Sequence, residues 1–200
     1  MCCPASVKSG DWRALGQVAK FDNVVGLPGV AVSSINLYEN TFWNGPFLIQ
    51  THGQTVPISV VANTYNNYAA YSTFDVVTIQ QGAPAMTVYY ADSTIEYFDL
   101  NPFYYACARG TDASIVGNPT SCTITAEGYF TSNGSDKDEA ASESFSYKGK
   151  VLQLQSQMVQ ATLNSKFKGV KKVEFSVSNS LLVAGSVDTV SYTVYSSKKM

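Results

Sequence analysis

Along the 200 residues, apolar side chains recur at alternate positions far more often than at every third or fourth. Alternation with period two marks a strand, because successive side chains of an extended chain point to opposite sides. On this basis the sequence predicts eleven strands, over residues 18–22, 41–50, 56–62, 74–79, 86–91, 95–100, 103–109, 122–130, 143–154, 170–178 and 187–196. Turn signals separate them: Gly26-Leu27-Pro28-Gly29, Asn44-Gly45-Pro46, Gln81-Gly82-Ala83-Pro84, Gly117-Asn118-Pro119 and Ser132-Asn133-Gly134-Ser135. Short strands with such punctuation predict an all-β fold, an antiparallel β-sandwich of jelly-roll type in a single domain. Residues 1–17 are expected to form an N-terminal arm, and 131–142 an exposed polar loop carrying Asp136, Lys137, Asp138 and Glu139. The stretch 152–163 alternates Leu and Gln but holds no Gly or Pro, so strand, the preferred reading, competes there with helix.

Composition narrows the function. Only 14% of residues are charged, against about 25% in an ordinary domain. With a net charge of -2 and two arginines, Arg13 and Arg109, the chain lacks the basic face of a nucleic-acid binder. No apolar run is long enough for a membrane helix, and no basic-then-apolar leader opens the chain. Either the protein stays inside the cell or it is a mature form behind an added Met1. The cysteines favour the second. Cys107 and Cys122, fifteen residues apart, are read as a disulfide of a secreted protein, the alternative being two buried thiols of a cytosolic one; Cys2 and Cys3 are adjacent and unassigned. From residue 40 to 91 the only formal charge is Asp75. That segment is therefore buried or presents an uncharged polar surface.

Phe21-Asp22, followed by Leu37-Tyr38-Glu39-Asn40-Thr41-Phe42-Trp43-Asn44-Gly45-Pro46-Phe47, resembles the opening of secreted microbial β-sandwiches of the galactose-binding-domain-like type. Tyr97-Phe98-Asp99-Leu100-Asn101-Pro102-Phe103-Tyr104 is similar to their middle motif, Gly128-Tyr129 to a later one, and Val187-Asp188-Thr189-Val190-Ser191-Tyr192 to their closing strand. The cysteine pair is similar to that of fungal members. Asn23 and Pro102 depart from the pattern, where Asp and Ser are usual. The resemblance implies a secreted jelly roll. It also implies a structural Ca²⁺ held by Asp22 and Asp188, the alternative being that both accept hydrogen bonds from turn amides.

Catalytic chemistry finds little support in the residues. The sole histidine, His52, lies in Gln50-Thr51-His52-Gly53-Gln54 with no GxSxG in the chain. Asp92, Glu96 and Asp99 could supply carboxylates for glycoside hydrolysis, but Glu96 and Asp99 fall on opposite faces of an extended strand. Polysaccharide lyase chemistry, with Tyr or Lys as base, is the third choice. Carbohydrate recognition needs flat apolar rings beside neutral hydrogen-bonding groups. Asn63-Thr64-Tyr65-Asn66-Asn67-Tyr68-Ala69-Ala70-Tyr71 offers both. The expected ligand-binding set is Tyr65, Asn66, Asn67, Tyr68 and Tyr71, with Trp43 from the preceding strand. The sequence thus predicts a non-catalytic binder of cell-wall or surface glycans, without an organic cofactor, or else a small secreted effector that meets a host cell-surface protein. Lys166, Lys168, Lys171 and Lys172 could attract acidic polysaccharide, or guard a strand edge. Asn133-Gly134-Ser135 is an N-glycosylation acceptor pattern.

Overall fold

The computed structural model describes residues 13–26, 33–51, 59–111, 114–134, 138–149, 154–178 and 182–197. Within them the regular secondary structure is almost entirely strand. A small sheet has the order β1 (Arg13–Ala19), β16 (Val190–Ser196), β7 (Ile95–Leu100). A large sheet runs β11 (Glu139–Tyr147), β10 (Cys122–Tyr129), β14 (Lys172–Val177), β6 (Ala85–Thr87), β3 (Thr41–Gln50), β5 (Asn67–Tyr71), β15 (Val183–Asp188), β8 (Phe103–Thr111), β13 (Val159–Ala161). β2 (Ser34–Tyr38) flanks β3, and β9 (Ser114–Pro119) flanks β8. The pairings in both sheets are antiparallel; β4 (Val60–Val61) and β12 (Ser156–Gln157) form a separate short parallel pair.

The large sheet curls until its two ends face one another. Cys107 on β8 is disulfide-bonded to Cys122 on β10, although β14, β6, β3, β5 and β15 lie between those strands in the sheet. Phe103 of β8 meets Phe145 of β11 and Phe175 of β14 edge-on, both at 5.6 Å between ring centroids. Tyr71 of β5 reaches Phe175 at 6.3 Å. These rings, with Trp43, Phe47, Tyr68 and Phe98, fill the space between the layers. The all-β antiparallel sandwich expected from the alternation is the fold observed.

Several local expectations are corrected. Residues 74–79, expected as a strand, contribute instead to helix α1 (Val76–Gln81). Asp75 caps it, its Oδ1 accepting from the Val77 amide at 2.8 Å, and Gly82 ends it at φ 94°. Over six residues an apolar run has no decisive period, so the caps settle the matter. The expected strand 187–196 is two strands that bend at Thr189, φ 48°. β2, β5 and β9 were not anticipated; β9 takes in the Gly117-Asn118-Pro119 segment read as a turn. The described part of 152–163 holds only the short β12 and β13, not a helix. β1 begins at Arg13, within the segment expected as an arm, and β11 begins at Glu139, within the expected loop.

β3 matches its expected bounds even though Asn44-Gly45-Pro46 lies inside it. Gly45 adopts φ 85°, and a Cβ there would meet the Gly82 carbonyl oxygen at 2.7 Å. At this kink β3 changes partner on one edge, from β6 to β5.

Candidate functional site

At one end of the large sheet the last residue of β3, the first of β5 and the last of β15 come together with the turn that follows β1. Register fixes the meeting: Gln50 pairs with Asn67, and Val187 with Ala69. The turn after β1 is anchored by Phe21, fully buried, 5.0 Å edge-on to Trp43 and 5.1 Å from Tyr38. Its left-handed φ of 61° is sparsely populated for an aromatic residue. The Phe21 amide donates to the Tyr38 hydroxyl at 3.1 Å, and that hydroxyl donates to Asn23 Oδ1 at 2.6 Å. Asp22 is thereby held between two pinned neighbours.

Asp188 ends β15 and is fully buried. Its Oδ2 accepts from the Thr64 amide at 2.8 Å and its Oδ1 from the Thr189 amide. Asn63 Nδ2 donates to Thr189 Oγ1 at 2.9 Å, so residues 63–66 hang from the bend between β15 and β16. Burial pushes the Asp188 carboxyl up to about 6; the two amides pull it down, and the charge of Asp22 adds to the rise.

Beside this turn lies a cavity of about 140 Å³, lined by Asp22, Val24, Val25, Gln50, Asn66 and Asn67. Asp188 does not line it. Of the pair expected to hold calcium, Asp22 lines the cavity and its Oδ1 accepts from the Asn67 amide at 3.4 Å, while Asp188 accepts from the Thr64 and Thr189 amides. Asn67 Nδ2 donates to the carbonyls of Phe21 at 2.8 Å and Val24 at 2.7 Å, which fixes the amide orientation. Its Oδ1 is buried without a partner, as is Asn66 Oδ1. Asn66 has φ 97°, and its backbone carbonyl accepts from both the amide and the hydroxyl of Thr51 at 2.6 Å. The lining thus combines one carboxylate residue, three amide residues and two valines. Among the described residues no three His, Cys, Asp or Glu side chains converge on a point.

The expected sugar-stacking face is divided by burial. Tyr65 is 74% exposed, and the half-buried Asn66 lines the cavity. Asn67, Tyr68 and Tyr71 belong to β5, where all five residues are buried, and Trp43 is 0% exposed. β5 lies between β3 and β15 with both faces covered, so these rings present no surface to a solvent-borne ligand. Tyr71 packs instead against Gly185, where a Cβ would approach its ring to 2.7 Å. Gln50, Val24 and Val25 were not foreseen as lining residues. Only the pairing of Gln50 with Asn67 places Gln50 there, and that pairing leaves no local signal in the sequence.

Other chemical candidates are held by structure. Asp99 accepts from the Gly169 amide at 2.8 Å and from the Tyr195 hydroxyl at 3.1 Å, while Glu96 accepts from the Ser197 hydroxyl at 3.1 Å. In the lysine-rich segment Phe167 and Val170 are buried, Lys166, Lys168 and Lys171 are exposed, and Lys172 pairs with Glu174. His52 lies outside the described residues. Among them no helix is long and apolar enough to cross a membrane.

This geometry defines an all-β sandwich with a cavity at one end, lined by polar residues and two valines. No protein-family model and no curated protein matches the chain. Among solved structures it is similar to a DUF4465 family protein from Bacteroides caccae, with 13% identity and a TM-score of 0.51 over 89% of this chain and 98% of that one. It is also similar to the K1 cleaved adhesin domain of Lys-gingipain from Porphyromonas gingivalis, with 16% identity and a TM-score of 0.43 over 90% of this chain and 97% of that one. The first likeness shows a shared fold. Both proteins are bacterial, and nothing in these likenesses supports the fungal origin or the galactose-binding-domain class expected from the sequence.

Proposed function

We propose that the protein is an extracellular, non-catalytic binding protein that recognises a neutral glycan at the end of the sandwich marked by Tyr65. The observation that carries this reading is the exposure of the Tyr65 ring, 74%, immediately before Asn66 at the cavity. A flat ring beside amide groups suits sugar C–H faces and hydroxyls together. Asn67, Tyr68, Tyr71 and Trp43 support the site from the core rather than touch the ligand. The extracellular setting is favoured by the Cys107–Cys122 disulfide. Burial pushes the phenols of Tyr68, Tyr71 and Tyr192 up, the opposite of what a tyrosine base at those positions needs.

The test is calorimetric titration of soluble neutral oligosaccharides at low and high salt. Binding through one ring and a few amides falls in the micromolar to millimolar range, about 4 to 8 kcal/mol. It should change little with salt, because the contacts carry no charge. Tyr65→Ala should weaken it about tenfold or more, equivalent to about 1.4 kcal/mol. An exposed site leaves stability within about 0.5 kcal/mol. Affinity unchanged in Tyr65→Ala, or capture of a host protein alone, would replace the glycan reading with the effector one.

A further inference from the structure

An open sheet edge is a row of unpaired backbone donors and acceptors, which folded proteins guard with charge, shortness, irregularity or cover. Other edges of this molecule are guarded so. β7 is covered, because Phe98 and Val170 exchange backbone bonds at 2.8 and 3.0 Å and the Leu100 amide donates to the Phe167 carbonyl. β11 carries Glu139 and Glu143. β13 has three residues, and β4 and β12 have two each. β2 breaks register between Ser34 and Asn36, where Asn36 turns to φ 60°, and β9 ends in Pro119. Beyond Arg13 at its start, β1 has none of these devices. It is seven residues long, pairs with β16 without a register break, and has no strand on its other side among the described residues. From Ala14 to Ala19 it holds no charge and no proline. Leu15 shares a face with the fully buried Val194 yet is 40% exposed, because the sheet stops there; Val18, on the opposite face, is 41% exposed. Gly16 sits at the middle. Glycine weakens a strand interior and usually answers to a bulge, a bend or the close approach of another backbone. At Gly16 there is no bulge and no positive φ, and a Cβ would meet nothing within 4 Å. Nothing among the described residues requires a glycine there.

We propose that β1 pairs antiparallel with β1 of a second copy of this chain about a two-fold axis, joining two three-stranded sheets into one continuous sheet. An antiparallel edge is self-complementary, since a two-fold axis carries the same strand onto its own partner. Full overlap of Arg13–Ala19 puts Gly16 opposite Gly16, Leu15 opposite Gln17, Ala14 opposite Val18 and Arg13 opposite Ala19. No like charges then face one another. The same overlap of β11 would set Glu143 against Glu143, and like charges directly opposite destabilise a strand pair. Charge therefore permits self-pairing at β1 and opposes it at β11. The bare Gly16 lies on the axis, where the two backbones meet, and Leu15 gains the neighbour it lacks in the single chain. A contact of one strand from each copy belongs at the small end of interfaces, under about 1,200 Å² in total. The dimer is accordingly reversible, with a Kd of about 10⁻⁶ to 10⁻³ M. It stands independently of the glycan reading.

Sedimentation equilibrium of the full chain, from about 1 μM to about 1 mM, should show a reversible monomer–dimer equilibrium. Gly16→Lys is the deciding variant. It sets two ammonium groups against each other at the axis, while in the single chain the side chain enters open space. Its dimer should weaken about tenfold or more, and recover in part at high salt, which screens the repulsion. Its Tm, taken at a dilution where the parent is monomeric, should equal or exceed that of the parent, because a strand glycine has been replaced. Ser142→Lys makes the same charge change at an exposed position of β11 and should leave the dimer intact. Should Gly16→Lys fail to fold, Leu15→Lys takes its place, since Leu15 is 40% exposed and its two copies lie diagonally across the axis. A parent that stays monomeric at about 1 mM, a Gly16→Lys dimer as tight as the parent's, or an equal loss in Ser142→Lys would overturn the assignment.

Discussion

Tyr68 and Tyr71 illustrate how one residue type serves opposite purposes. Both hydroxyls are buried without a partner, and burial pushes both phenols far above their ordinary pKa. A polar group held so has lost its water and gained nothing, which costs about 1–3 kcal/mol. Tyr68→Phe keeps the ring that packs and deletes only the unpaired oxygen. Its Tm should equal or exceed that of the parent in a thermal melt, and sugar affinity should be unchanged. A loss of more than about 1 kcal/mol in stability would mean that the hydroxyl has a partner. Tyr65, three residues earlier, is the ring at the surface. Nothing in Tyr65-Asn66-Asn67-Tyr68 distinguishes the two tyrosines, because tyrosine forms strands well whether covered or not. The pair Ala69-Ala70 is the usable clue: small residues between rings fit a strand pressed from both sides, and both are 0% exposed.

At the scale of elements, strands with one covered face were legible and special cases were not. β7 carries its expected bounds because Phe98 and Leu100 are covered while Tyr97 and Asp99 are half open; β3 does so through the alternation of its first four residues, although Gly45 to Ile49 are all buried. α1 was missed because Val76-Val77-Thr78-Ile79 is β-branched throughout, a composition that favours strand. Its own caps override that preference. Asp75 is half-buried, and its carboxyl is raised by burial while the Val77 and Thr78 amides lower it. Asp75→Ala should therefore cost about 1 kcal/mol, the usual worth of a cap, read from the denaturant midpoint. A neutral outcome would mean that Thr78, bonded to the Gly45 carbonyl at 2.9 Å, holds the helix in place without it. The site is less legible than the fold for a related reason. Asp22, Asn66 and Gln50 meet only through the antiparallel register and the turn pinned by Phe21, and no single segment records that meeting.

Across the whole molecule the disulfide is the sharpest case, because two measures of its reach disagree. In the sheet, β8 and β10 are far apart, and the bond clasps one layer of the sandwich to the other. In the chain, only 15 residues separate Cys107 from Cys122. If the bond acts chiefly by restricting the unfolded chain, sequence distance governs, and a loop of this size is worth about 3 kcal/mol. For a chain of this length that corresponds to a fall in Tm of about 6 to 12 °C. The double variant Cys107→Ala, Cys122→Ala should show this fall while keeping its strand content, since aromatic contacts such as Phe103 with Phe145 already join the layers. If the variant instead loses its near-ultraviolet signal and unfolds without cooperativity, the clasp between layers, not loop entropy, is what the bond supplies. A fall of less than about 2 °C would mean that neither account holds, since it leaves under about 1 kcal/mol to explain.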